Sequence, residues 1–178
     1  MLPSIPYDRA AAIAYAHEWA FGRNPDYYNY DDIGGDCTNF SSQCLFAGTG
    51  VMNFTPDYGW YYIDANRKAP AWTGVPYFNQ FMTRLPPPGP GPIMELSDLE
   101  HVIPGDFLQL KFVEERFSHT VIIVEMGNPP TLENTLIAAH SYDADFYPIS
   151  EYYAKEHRFL HVLGAFPPRK HNSRPKSV

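Results

Sequence analysis

The chain has 178 residues, 44% hydrophobic and 19% charged, with a formal net charge of −7 at neutral pH. That length and apolar content suit one domain with its own core and exclude a disordered chain. The negative balance argues against a nucleic-acid partner or a basic membrane-surface binder, both of which need positive faces.

Residues 1–6 carry no basic n-region followed by an apolar stretch, and no run approaches the length of a membrane span. As written the chain reads as cytoplasmic, with no membrane partner. An export leader trimmed before this start is compatible with the same sequence.

Tyr7 to Ala20 predicts a helix, with Asp8 near its start and Gly22 and Asn24-Pro25 ending it. Residues 25–36 form an aromatic and acidic loop. A second helix runs from Cys37, with Phe40, Cys44 and Leu45 at core spacing, and stops at Gly48 and Gly50. Residues 52–72 are irregular and aromatic. Thr73 to Arg84 predicts a short helix.

The proline-rich segment 86–92 cannot be helix or inner strand and reads as a stiff spacer within one domain. From Phe107 the pattern changes to strands: Phe107 to Val113, the β-branched run Thr120 to Glu125, and Leu136 to His140. A short helix opens at Ser150, and Arg158 to Phe166 is a last strand. The expected layout is α+β, N-terminal helices packed on an antiparallel meander, as one domain over 1–168. The basic tail 169–178 reads as disordered.

Gly34-Gly35-Asp36-Cys37 carries the most specific chemistry. Asp36 is a candidate N-cap, which places Cys37 at the first helical position, where the positive end of the helix dipole favours a thiolate. The alternative is a buried structural cysteine opening a core helix. Cys44 is one helix face further along, about 10 Å away and beyond disulfide reach, and two cysteines alone make no zinc signature.

A nucleophilic cysteine needs a base, and His119 lies at the entrance of the buried strand. A hairpin centred on Asn128 to Pro130 sets residues whose numbers sum to about 259 opposite each other, which pairs His119 with His140. Asp143 is the alternative orienting group. Paired strand histidines with a carboxylate are also the beginning of a metal site.

These residues resemble a known family. Gly34-Gly35-Asp36-Cys37-Thr38-Asn39-Phe40 with Ser42-Gln43-Cys44 resembles the nucleophile motif of the putative amidase domain family, bacterial proteins related to papain-like cell-wall amidases and CHAP domains. Tyr7-Asp8-Arg9, Asn24-Pro25, Gly59-Trp60-Tyr61, Trp72-Thr73-Gly74-Val75, Gly105-Asp106 and Ser118-His119-Thr120-Val121 extend the resemblance along nearly the whole chain. Ser41 departs from it, standing where the family more often has an apolar residue. The resemblance implies a papain-like fold with Cys37 as nucleophile, His119 as base and a polar third group on the next strand, matched by His140.

The expected activity is hydrolysis of an amide or peptide through a thioester on Cys37, without a cofactor, on substrates such as cell-wall-type peptides. Asp36, Trp60 and Tyr30 are candidate substrate-side residues, although each tryptophan reads equally as core. Two other classes remain open at this stage. One is a non-catalytic peptide or glycan-binding module on the same fold, and the other is a His/Asp metal-dependent hydrolase.

Overall fold

The computed structural model describes residues 3–85, 89–113 and 115–168. The basic tail and residues 86–88 of the proline-rich segment lie outside the described residues. Its frame is a six-stranded antiparallel sheet that carries helices on one face. The elements in chain order are α1 (Arg9–Trp19), α2 (Cys37–Thr49), β1 (Tyr62–Asp64), β2 (Arg67–Lys68), α3 (Pro70–Thr73), α4 (Val75–Met82), β3 (Gly91–Ser97), β4 (Phe107–Lys111), β5 (Phe117–Met126), β6 (Thr135–Ala139), β7 (Ala144–Pro148), a 3-10 turn (Ile149–Tyr152) and β8 (Glu156–Phe166).

The α+β class is as expected, but the strand order β3-β8-β4-β5-β6-β7 is not a plain meander. The last strand returns to the middle, between β3 and β4. Strands β3 and β7 are not evident in the sequence, and they are the two edges of the sheet. Edge strands tolerate proline and charge, so β3 with Pro92 and β7 with Asp145 and Pro148 lack the alternation of an inner strand. β3 begins inside the segment read as a proline spacer, with Pro92 opposite Ala165.

The helices follow local chemistry. Asp8 caps α1, its carboxylate accepting from the Ala11 N–H at 2.9 Å. Gly50, at φ 64°, ends α2 in the left-handed conformation that favours glycine. Gly48 does not stop the helix. It lies inside α2 because a Cβ there would stand 2.3 Å from the Tyr7 ring and 2.7 Å from the Asp8 carbonyl, where α1 begins. The helix expected over 73–84 is α4, which begins after extended Gly74, and the short α3 precedes it in the stretch read as irregular.

Period-two alternation gives the sheet two apolar faces. On the helix side, Phe107, Ile122, Ala138 and Leu160 pack against Phe40, Cys44, Leu45, Trp60, Trp72 and Phe78. On the other side, Leu108, Leu110, Val121, Ile123, Ile137 and Ala139 pack against Val102 and Ile149. Each fully buried Val, Leu, Ile or Phe among them contributes about 1.5–3 kcal/mol. Asp106 ties α1 to the sheet, holding Arg9 Nη1 at 2.7 Å and His161 Nδ1 at 2.7 Å. No helix among the described residues is long and apolar enough to cross a membrane.

Candidate active site

Cys37 opens α2 beside the entry of β5. Thr38 and Thr120 join their hydroxyls at 3.1 Å, and the Ser41 hydroxyl donates to the Thr120 carbonyl at 3.2 Å. These contacts dock the first turn of the helix on the strand residue that follows His119. The Thr120 and Thr38 N–H groups and the Thr38 hydroxyl reach the sulfur, which lowers its pKa, but burial is the largest influence and the net shift is upward. The resting thiol is therefore protonated at neutral pH.

Asp36 does not cap the helix. α2 has no side-chain cap, so the N–H groups of its first turn are left for another acceptor. The Asp36 carboxylate turns inward instead. Oδ1 accepts from the Tyr30 N–H and the Asn39 amide, both at 2.9 Å, and Oδ2 meets His140 Nδ1 at 2.6 Å. Both Asp36 and His140 are 1% exposed.

His140 Nε2 meets the Trp19 carbonyl at 2.8 Å, and its ring stacks on Phe40 at 3.9 Å. A carbonyl only accepts, so Nε2 carries a proton. Nδ1 and Oδ2 make the second hydrogen bond of the ring. The Asp36 charge is one of the influences that raise the Cys37 pKa. The network clamps the end of α1, the start of α2 and the end of β6 around the nucleophile candidate.

The expected pairing of His119 with His140 is displaced by one residue. Ile122 lies opposite Ala138 and Ile123 opposite Ile137, so the same register carries Thr120 toward His140. One residue changes the face. His140 belongs to the helix side with Ala138 and Phe40, whereas His119 alternates with Val121 and Ile123 on the other. No hydrogen bond joins the two histidines, and they do not converge on a common metal position. Among the described residues no three His, Cys, Asp or Glu side chains are grouped to hold a metal ion.

His119 does meet Cys37 across a cavity of about 700 Å³ that both line. The imidazole is 6% exposed, and its ring lies 5.4 Å from that of Tyr152 and 6.4 Å from that of Phe112. Burial pulls its pKa down to about 4, so it is a neutral base at pH 7. Gly34, Gly35 and Ser141 complete the floor near Cys37, and the Ser141 hydroxyl accepts the Asp36 N–H at 2.7 Å. Phe21, Tyr142, Tyr147 and Tyr152 give aromatic walls, with Asp143, Asp145 and Glu151 among them.

The other sequence candidates lie elsewhere. Trp60 is fully buried under α2, its indole N–H donating to Ser42 at 3.0 Å. Trp72 is equally buried, bonded to Asn39 at 2.9 Å. Both tryptophans are thus core rather than cavity wall. Tyr30 is buried beside Asp36 and does not line the cavity; its ring lies under the Lys68 ammonium at 5.2 Å. Asp143 is at the cavity but is held by Arg23 at 2.8 Å, not by His119. Cys44 is fully buried in the helix-side core, and burial raises its pKa well above the usual thiol range. Sequence reasoning missed Tyr152 and Phe112, whose strand-end and turn positions carry no motif.

The sequence pattern of the family described as "Putative amidase domain" matches residues 6–163. An uncharacterized protein of Bacillus subtilis (strain 168), YhbB, is 32% identical over 145 residues, which is 79% of this chain. The chain spans 43% of that relative's length. No solved structure matches.

Proposed function

The chain belongs to the putative amidase domain family, and on that premise we propose that it is a cysteine-dependent amide hydrolase of papain-like design, acting as one domain over residues 1–168. The observation that carries the proposal is the single cavity shared by Cys37, at an uncapped helix start, and His119, a buried neutral imidazole.

Both groups rest uncharged. His119 takes the Cys37 proton as the sulfur attacks the substrate carbonyl, so the ion pair forms only as the C–S bond forms. The carbonyl oxygen becomes an oxyanion, stabilised by the Cys37 N–H at the positive end of α2. The imidazolium then returns its proton to the leaving nitrogen as the C–N bond breaks. A water molecule, deprotonated by His119, cleaves the thioester to give a carboxylic acid and restores the thiol.

The Asp36–His140 pair does not touch the reacting atoms. It fixes the helix start. The aromatic walls suit a peptide or N-acyl amide. The Glu151 carboxylate, exposed at the rim, suits a substrate bearing a free amine, as in cell-wall-type peptides.

The test is a panel of short peptides and N-acyl amides, with and without free amines, incubated in ¹⁸O-labelled water. Wild type is expected to release an acid carrying one ¹⁸O and the matching amine, and Cys37→Ala to release neither. Hydrolysis by Cys37→Ala at the wild-type rate overturns the proposal.

A further inference from the structure

The base proposed above has no third group among the residues expected to supply one. His140 is committed to Asp36 and Trp19 on the far face of the sheet, and Asp143 is committed to Arg23. The ring of His119 shows where that group must act. Its Nε2 is enclosed and has no hydrogen-bond partner among the described residues, whereas Nδ1 is not among the enclosed atoms. Nδ1 is thus the nitrogen with access to the cavity, and a neutral ring that accepts a proton there must carry its own proton on Nε2. An enclosed N–H without an acceptor is destabilising, so the site favours an arrangement that supplies one.

A second enclosed, unpartnered polar atom lies beside it. The hydroxyl of Tyr152 has no partner among the described residues either, and its ring is 5.4 Å from the His119 ring. The Tyr152 ring is edge-on to Tyr147 at 5.5 Å and 6.5 Å from Phe112, so it is supported on two sides. The 3-10 turn that presents it is anchored by fully buried Ile149 and by the Ser150 N–H, which donates to the Leu132 carbonyl at 3.2 Å.

We propose that Tyr152 is the positioning residue of His119: its hydroxyl oxygen accepts the Nε2 proton and so holds Nδ1 toward Cys37. The inference rests on the Cys37–His119 reading. Both polar atoms lack a partner among the described residues, and their rings are neighbours at 5.4 Å. The hydroxyl keeps its own proton throughout, since burial raises the tyrosine pKa above its usual value. When His119 takes the Cys37 proton the ring becomes an imidazolium, and the bond to Tyr152 strengthens. The tyrosine thereby stabilises the charged form that exists only during reaction.

Tyr152→Phe keeps the ring and removes only the bond. The experiment measures the rate of Cys37 alkylation by iodoacetamide from pH 4 to 9 in wild type, Tyr152→Phe, His119→Ala and the double variant. The tautomer of His119 is followed by ¹⁵N NMR. The expected result is a roughly tenfold slower reaction in Tyr152→Phe at neutral pH and a downward shift of the acid-limb midpoint, because the imidazolium has lost an acceptor. The double variant should be no slower than His119→Ala, and the fraction of Nε2-protonated tautomer should fall in Tyr152→Phe.

If His119→Ala slows alkylation but Tyr152→Phe keeps the wild-type rate, pH midpoint and tautomer, the role of Tyr152 is overturned and the Cys37–His119 reading stands. An additive loss in the double variant also overturns it. If His119→Ala reacts at the wild-type rate, both readings fall together.

Discussion

His140 and His119 come from neighbouring strands of one sheet and are both nearly inaccessible, yet their surroundings differ completely. His140 has an oxygen acceptor on each ring nitrogen, at 2.6 and 2.8 Å, and a phenyl ring stacked on its face. The His119 Nε2 has no hydrogen-bond partner among the described residues, and the ring has aromatic neighbours and a cavity in front of it. A satisfied buried histidine holds structure, and an unsatisfied one beside a cavity is stored capacity for chemistry. The two cysteines of α2 divide in the same way: Cys37 lines the cavity, and Cys44 is sealed in the core.

The contrast breaks most visibly through substitution at the two histidines. His119→Ala is expected to lower the rate of amide hydrolysis by about 10²–10⁴-fold, with the thermal midpoint moving little, as steady-state kinetics and a melting curve would show together. His140→Ala should do the reverse. It leaves the Asp36 carboxylate buried without its partner, at a cost of about 3–5 kcal/mol. Calorimetry should show a fall of roughly 10 °C for a chain of this size, and Asp36→Asn combined with His140→Ala should recover part of it.

The pH dependence of stability sharpens the same comparison. His119 has a pKa of about 4 in the fold, against the ordinary histidine value of 6.5. Between those values the unfolded chain binds a proton that the folded chain does not, so stability rises with pH. The contribution is complete above pH 6.5 and is lost as pH falls through 4, a difference of about 3 kcal/mol. Urea unfolding at a series of pH values should show this slope in wild type and a flatter one in His119→Gln. The smallest effect is expected at Cys44→Ala, a core truncation costing about 1–2 kcal/mol that leaves the alkylation of Cys37 unchanged.

Much of this contrast was legible in the sequence. Asp36-Cys37 before a polar-apolar helix marked the nucleophile candidate, and the β-branched run after Ser118-His119 marked an inner strand. The partner of His119 was not legible. The hairpin count assumed a sum of 259, but beside the turn Glu125 lies opposite Leu136, a sum of 261, and the register shift between Ile123 and Glu125 leaves 260 at the histidines. A bulge of one residue moves every side chain beyond it to the other face, and here that separated the two histidines. The inward turn of Asp36 was hidden for a similar reason, since its acceptors' partners come from residues 30, 39 and 140. Trp60 and Trp72 show the converse: aromatic residues in an irregular stretch look like cavity walls until their indole N–H groups are found bonded beneath α2.

Alkylation reads the coupling of Cys37 to His119 directly. The protein is treated with iodoacetamide at pH 7, and the adduct is located by mass spectrometry in wild type and His119→Ala. Cys37 alone should be modified rapidly in wild type and markedly more slowly in the variant. Equal, slow modification of Cys37 and Cys44, unaffected by the loss of His119, would contradict that coupling.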